Sequence, residues 1–170
     1  STPVRIGNEA AGQLQLDDYG ELMDTIYLAD KYGNKISREM WLKVHKLVDY
    51  IAQNWQDGHV GMWEFRGEKT HLCHSRVMCW VAVDRAFRLA QKESLPAPLE
   101  DWRALRDEIH ESVYKDFWNE DLQSFVQKKG GSNVDGSLLL MPLVRFIGAK
   151  DPQWLSTLKR IEQDLVEDVF

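Results

Sequence analysis

The sequence predicts an all-α protein of alternating inner and outer helices, and three observations lead there. Apolar residues recur at helical 3-4 spacing in segment after segment. Those segments alternate between apolar on one face and apolar around most of the circumference. The connections between them alternate in composition as well. Such a pattern points to concentric helical layers, as in an α/α toroid or a helical solenoid. No residue pattern repeats at a fixed period, which weighs against a solenoid of identical units.

In order along the chain, Gln13 to Ala29 reads as a first inner helix. Met40, Trp41, Val44, Leu47, Val48, Ile51, Ala52 and Trp55 then make one face of an outer helix, with Ser37 as its N-cap. His71 to Ala90, containing "LCHSRVMCWVAVDRAF", is a second inner helix, apolar nearly all round. Leu99, Trp102, Leu105, Ile109 and Val113 give the next outer helix, entered through Pro96 and Pro98. Ser137 to Gly148, "SLLLMPLVRFIG", is the third inner segment. Trp154, Leu155, Leu158, Ile161 and Leu165 close the series, with Asp151 capping and Pro152 in the first helical position.

The connections into the inner helices, "RIGNEAAGQLQLDDYG", "QDGHVGMWEFRGEKT" and "QKKGGSNVDGS", are rich in Gly, Asp, Glu, Asn and aromatics. Those into the outer helices, "KYGNKIS" and "GAKDPQ", look like plain turns. With antiparallel neighbours, the first set shares one end of the layers. Asp17, Glu64 and Asp135 are therefore expected around one mouth.

Composition narrows the function classes. A chain of 170 residues with 44 % apolar content is sized for one globular domain. A net charge of −6 without a basic stripe argues against a nucleic-acid partner. No apolar run approaches the ~18 residues of a membrane span, and "STPVRIGNEA" lacks a signal pattern. Cys73 and Cys79 lie six apart in one expected helix, too far round and along it to bridge, which fits a reducing compartment. A soluble, cytoplasmic protein is expected. The seven tryptophans suit either a helical core or the stacking platforms of a sugar site.

Among candidate groups, Glu64 stands between Trp63 and Phe65, where lost hydration raises a carboxyl pKa as a general acid requires. A local ion pair with Arg66 or Arg76 is the competing reading, and a close guanidinium would lower the pKa instead. Asp17 and Asp135 each stand near a helix start, where capping competes with a functional role. His71, Cys73, His74 and Cys79 invite a zinc reading, but Cys73 points away from the His71 and His74 face and no distant cluster completes four ligands. No metal and no cofactor are expected. Ser75 directly follows His74, so the two point about 100° apart on a helix, unlike a nucleophile and its base.

Five blocks, "RIGNEAAGQLQLDDYGE", "DGHVGMWEFRG", "HSRVMCWVAVDRAFRLA", "SFVQ" and "VDGSLLLMPLVRF", together resemble the catalytic domain of glycoside hydrolase family 15. The resemblance is to its bacterial glucoamylase-like branch, which includes glucodextranases and trehalases, and it runs in order through nearly the whole chain. It implies an (α/α)6 barrel that hydrolyses an α-glucosidic bond with inversion. It also implies Glu64 as the general acid, Trp63 lining the glucose subsite, and Asp17, Gln15, Asp135 and Arg66 near the sugar. The ligand would be an α-gluco-oligosaccharide or disaccharide.

Two departures accompany the resemblance. Fungal-type members carry a second carboxylate directly after the acid, where this chain has Phe65. Inversion also needs a base carboxylate about 6.5–9.5 Å from the acid. The family's base lies in a Glu-Glu-Tyr-Asp-like block followed by Asn-Phe-Pro-Gln, and neither occurs here. Residues 1–170 are thus expected to be a partial catalytic domain, six helices making about half of the toroid. Alone it should be nearly inactive and should self-associate through inner helices left uncovered. The rival reading is a non-catalytic helical scaffold that binds sugar or protein.

Overall fold

In the computed structural model the described residues are 16–57 and 71–165. They form six helices: α1 (Leu16–Lys31), α2 (Arg38–Asn54), α3 (Cys73–Glu93), α4 (Leu99–Phe117), α5 (Leu140–Leu143) and α6 (Pro152–Leu165). A short antiparallel hairpin, β1 (Trp118–Asn119) and β2 (Ser124–Phe125), follows α4. The fold is all-α, as expected.

The outer helices start where local chemistry starts them. The Ser37 side chain accepts from the Met40 backbone N–H, which caps α2. Pro98 stands at the N-cap position of α4. Asp151 Oδ1 accepts from the Gln153 N–H at 2.8 Å at the head of α6. Each helix buries one stripe: Trp41, Val44, Val48 and Ile51 on α2; Trp102, Ile109, Val113 and Phe117 on α4; Trp154, Thr157 and Ile161 on α6.

α3 is the centre of the molecule. Every residue from Cys73 to Ala90 except Arg88 is buried, and Ser94 in the left-handed conformation ends the helix. Its neighbours are laid out by pairs that run in order along it. Asp17, Asp24 and Asp30 of α1 meet His74, Arg85 and Lys92 of α3, so the two helices are parallel. Gly20 makes the closest approach: a Cβ there would lie 2.5 Å from the Met78 carbonyl oxygen.

α2 and α4 run the other way. The Trp41 indole N–H near the start of α2 donates to the Pro96 carbonyl, beyond the end of α3, while Trp55 past the end of α2 lies against Arg76 near its start. On α4, Arg106 reaches Asp84 and Ser112 accepts from Arg76. Parallel inner helices with antiparallel outer ones are the layered arrangement that the alternating connections imply.

Two inner segments differ from expectation. α1 was expected to be buried on several sides, but it buries one face against α3 and leaves Leu22 and Leu28 exposed. Ser137 to Gly148 is not a continuous helix. Residues Gly136–Leu139 form a 3-10 turn, Leu140–Leu143 a single α-turn, and Arg145 at φ 63 reverses the chain. Pro142 has no N–H to donate to the Leu138 carbonyl, so the 3-10 turn and α5 cannot join as one continuous helix. The Phe146 N–H then closes on the Met141 carbonyl at 2.9 Å. Leu143 is left 75 % exposed.

Candidate active site

The N-terminal ends of α1, α3 and the 3-10 turn before α5 come together. Asp17 stands in the first turn of α1, buried, with Oδ2 3.9 Å from His74 Nδ1 in the first turn of α3. The Cys73 N–H of that same turn donates to the Gln127 carbonyl at 2.9 Å, and the Gln127 side-chain amide donates to Asp135 Oδ2 at 2.8 Å. Asp17, His74, Gln127 and Asp135 thus lie along one end of the inner layer. Asp57 and His71, the last and first described residues on either side of positions 58–70, lie beside α3 at that same end.

The capping reading of Asp135 holds in full. Its Oδ1 accepts from the Ser137 N–H at 3.2 Å and the Ser137 hydroxyl at 2.6 Å, which fixes the carboxylate that Gln127 also binds. Asp17 is different: it is itself within the helix and turned into the protein, beside an imidazole only 7 % exposed. His74 Nε2 has no hydrogen-bond partner among the described residues. A buried carboxylate and imidazole together with a half-buried carboxylate and amide supply both donors and acceptors, which a polyhydroxylated ligand needs.

Glu64, Trp63, Arg66 and Gln15 lie outside the described residues. Arg76, one candidate ion-pair partner for Glu64, is engaged elsewhere: it donates to Ser112 and lies 3.4 Å from Asp116. The sequence offers His74 only as a zinc candidate, beside His71, Cys73 and Cys79, and Gln127 only as a member of the short "SFVQ" block.

Both cysteines are free and buried. Burial pushes the Cys79 thiol up to about 12, and burial together with the Asp135 charge pushes Cys73 higher still, so neither is poised as a thiolate ligand. Among the described residues no three His, Cys, Asp or Glu side chains gather as a metal site. No helix among them is long and apolar enough to cross a membrane.

Comparison with known proteins agrees with this architecture. A solved structure of a glycosidase variant in complex with glucose shares the fold at a TM-score of 0.79 and 20 % identity, covering 96 % of this chain and 43 % of that one. Trehalase of Thermoplasma volcanium is 39 % identical over 170 residues, and Trehalase 1 of Sulfolobus acidocaldarius 41 % over 172, each covering 100 % of this chain. Trehalase of Mycobacterium tuberculosis is 36 % identical over 166 residues, 98 % of the chain. The chain spans 27 %, 29 % and 24 % of these relatives, respectively. The sequence profile of glycosyl hydrolases family 15 matches residues 1–170. On these grounds the chain belongs to glycosyl hydrolases family 15.

Proposed function

We propose that this chain supplies the acid side of the active site of an inverting glycosidase, with Glu64 as proton donor and α,α-trehalose as substrate. The observation that carries the reading is the convergence of Asp17, His74, Gln127 and Asp135 at the end of the inner layer flanked by Asp57 and His71. The segment between those two residues contains Glu64. The names of the relatives support trehalose over starch or dextran.

In this reading Glu64 protonates the glycosidic oxygen as the bond breaks, and Trp63 packs against the sugar ring beside it. Asp17 and Asp135 accept hydrogen bonds from glucose hydroxyls, and Gln15 and Arg66 add contacts at the rim. Water attacks the opposite face of the anomeric carbon, deprotonated by a second carboxylate. No Glu-Glu-Tyr-Asp-like block occurs in this sequence, so that base comes from a part of the catalytic domain beyond these 170 residues. Without it the chain forfeits about 10²–10⁴-fold in rate.

The test uses the full-length gene product. Proton NMR during trehalose hydrolysis should show α- and β-glucose released in equal amounts at the earliest times, because only the attacked sugar inverts. Glu64→Gln should lower kcat about 10²–10⁴-fold. Release of α-glucose alone, or a Glu64→Gln enzyme as fast as wild type, would refute the mechanism. Glucose binding without hydrolysis of trehalose, maltose or isomaltose would establish the scaffold instead.

A further inference from the structure

A cavity of about 440 Å³ opens where the C-terminal half of α1 passes α3 and the chain reversal after α5. α1 contributes Asp24, Tyr27 and Lys31, whose i, i+3, i+7 spacing puts them on one face. α3 contributes Arg85 and Arg88, and the reversal adds Arg145. The protein carries a net charge of −6, yet four of these six side chains are basic.

Part of that charge builds the wall. Arg85 Nε donates to Asp24 Oδ1 at 2.7 Å, Nη1 to Asp84 Oδ2 at 2.7 Å and Nη2 to the Val144 carbonyl at 2.8 Å, which ties α1, α3 and the reversal together. Arg88 gives Nε to the same Asp84 oxygen at 2.6 Å, and its terminal nitrogens have no partner among the described residues. Lys31 and Arg145 are exposed and meet no carboxylate within ion-pair distance among the described residues. Two carboxylates, Asp24 and Asp84, thus stand against four cations, which leaves two positive charges uncompensated. A concavity lined by one sign of charge concentrates ligands of the other. Arg145 has φ 63, a conformation that glycine adopts without strain, so the reversal itself does not call for an arginine.

We propose that this cavity binds a phosphate monoester of about hexose size, with Lys31, Arg145 and the free edge of Arg88 on the phosphoryl group. A phosphoryl dianion matches the surplus of two charges, and guanidinium forks and an ammonium can serve its oxygens together. The space favours an ester over free phosphate. Its volume falls in the range of small-molecule sites, about 300–1,000 Å³, whereas five heavy atoms need only a few times the roughly 30 Å³ share of one water molecule. The Tyr27 hydroxyl and Asp24 Oδ2, the oxygen that Arg85 does not use, offer a donor and acceptors to sugar hydroxyls. Lys31 ends α1 and Asp17 stands in its first turn, about 20 Å away by helix rise, so this site is separate from the sugar-binding end proposed above.

The test is a binding measurement on the full-length gene product. In isothermal titration calorimetry at low salt, glucose 6-phosphate should bind at least about tenfold more tightly than inorganic phosphate. Lys31→Gln and Arg145→Gln should each weaken it about tenfold, the loss of one charge-assisted contact, and Arg145→Lys should restore most of the affinity. Both side chains are exposed, so these variants should fold as wild type does. Tyr27→Phe should weaken glucose 6-phosphate about 3–10-fold and leave inorganic phosphate unchanged. Affinity for glucose 6-phosphate that both charge variants leave intact would place the ligand elsewhere and overturn the assignment, as would no detectable binding at millimolar ligand. Inorganic phosphate bound as tightly as glucose 6-phosphate would refute the ester. Because the readout is binding, the outcome is the same whether or not Glu64 is the acid and trehalose the substrate.

Discussion

Gly20→Ala sets two effects against each other. An alanine in the middle of α1 should gain about 1 kcal/mol over glycine in helix propensity. Against this, the added Cβ would lie 2.5 Å from the Met78 carbonyl oxygen, 2.9 Å from Met78 Cβ and 2.9 Å from its Cε. Carbon atoms pack best at about 3.5–4.0 Å, so each contact is short by roughly half an ångström or more. The methionine terminus can swing aside, but the carbonyl belongs to the α3 backbone, and relief there requires α1 to move off α3. Overpacking of this kind costs about 1–3 kcal/mol, and a backbone clash belongs at the upper end.

Subtracting the propensity gain leaves a net loss of about 2 kcal/mol. In urea unfolding followed by circular dichroism, with a slope near 2 kcal/mol/M, that lowers the midpoint by about 1 M. Gly136→Ala is the control, because nothing lies within 4 Å of a Cβ there, and its midpoint should not fall. A Gly20→Ala midpoint equal to or above wild type would refute the packing argument and leave propensity in charge. The same displacement would carry Asp17, three residues earlier, away from His74, so the variant should also raise KM for the sugar substrate.

Two further outcomes follow from the buried charges. Asp84, 1 % exposed, holds Arg85 at 2.7 Å and Arg88 at 2.6 Å, with Arg106 at 3.8 Å, so Asp84→Ala should destabilise by about 3–5 kcal/mol in the same unfolding assay, and a loss under 1 kcal/mol would refute this. His71 is held below its ordinary value of 6.5 chiefly by burial, then by Arg76 and Lys129, against the opposing charges of Asp116 and Asp57. A lowered basic group adds stability above its unfolded pKa and loses it as pH falls through the folded one. Wild type should therefore lose stability below about pH 6.5 relative to His71→Gln, and parallel pH profiles would contradict the assignment.

What could be read from the sequence was local. Ser37 and Asp151 announced the helices they cap, and Pro152 the start of the last one, because a cap acts within three residues of itself. The convergence of inner-helix starts followed from loop composition, and the Asp17 and His74 pair bears it out for α1 and α3. The hairpin after α4 carries no such mark. It is held by Phe125 packing edge-on against Trp118 and by its N–H donating to Thr157 of α6, partners that only tertiary structure brings together. The breakdown of the helix at Pro142 was visible in the residue but masked by the run of leucines around it. His74 and Gln127 matter through neighbours on other elements, which single-segment patterns do not reveal.

The acidic residues of α1 have a bearing on alignment as well as on chemistry. Apolar surfaces alone would let a helix as evenly buried as α3 slide along its partner, because one turn of small and branched side chains resembles the next. Asp17, Asp24 and Asp30 each meet a different basic residue, His74, Arg85 and Lys92. A slip of one turn, about 5.4 Å, would separate all three pairs together and strand charged groups away from water. The pairs therefore act as a vernier: they add little to the depth of the native well, but they select one axial register, and with it the level at which the N-terminal ends of α1 and α3 stand.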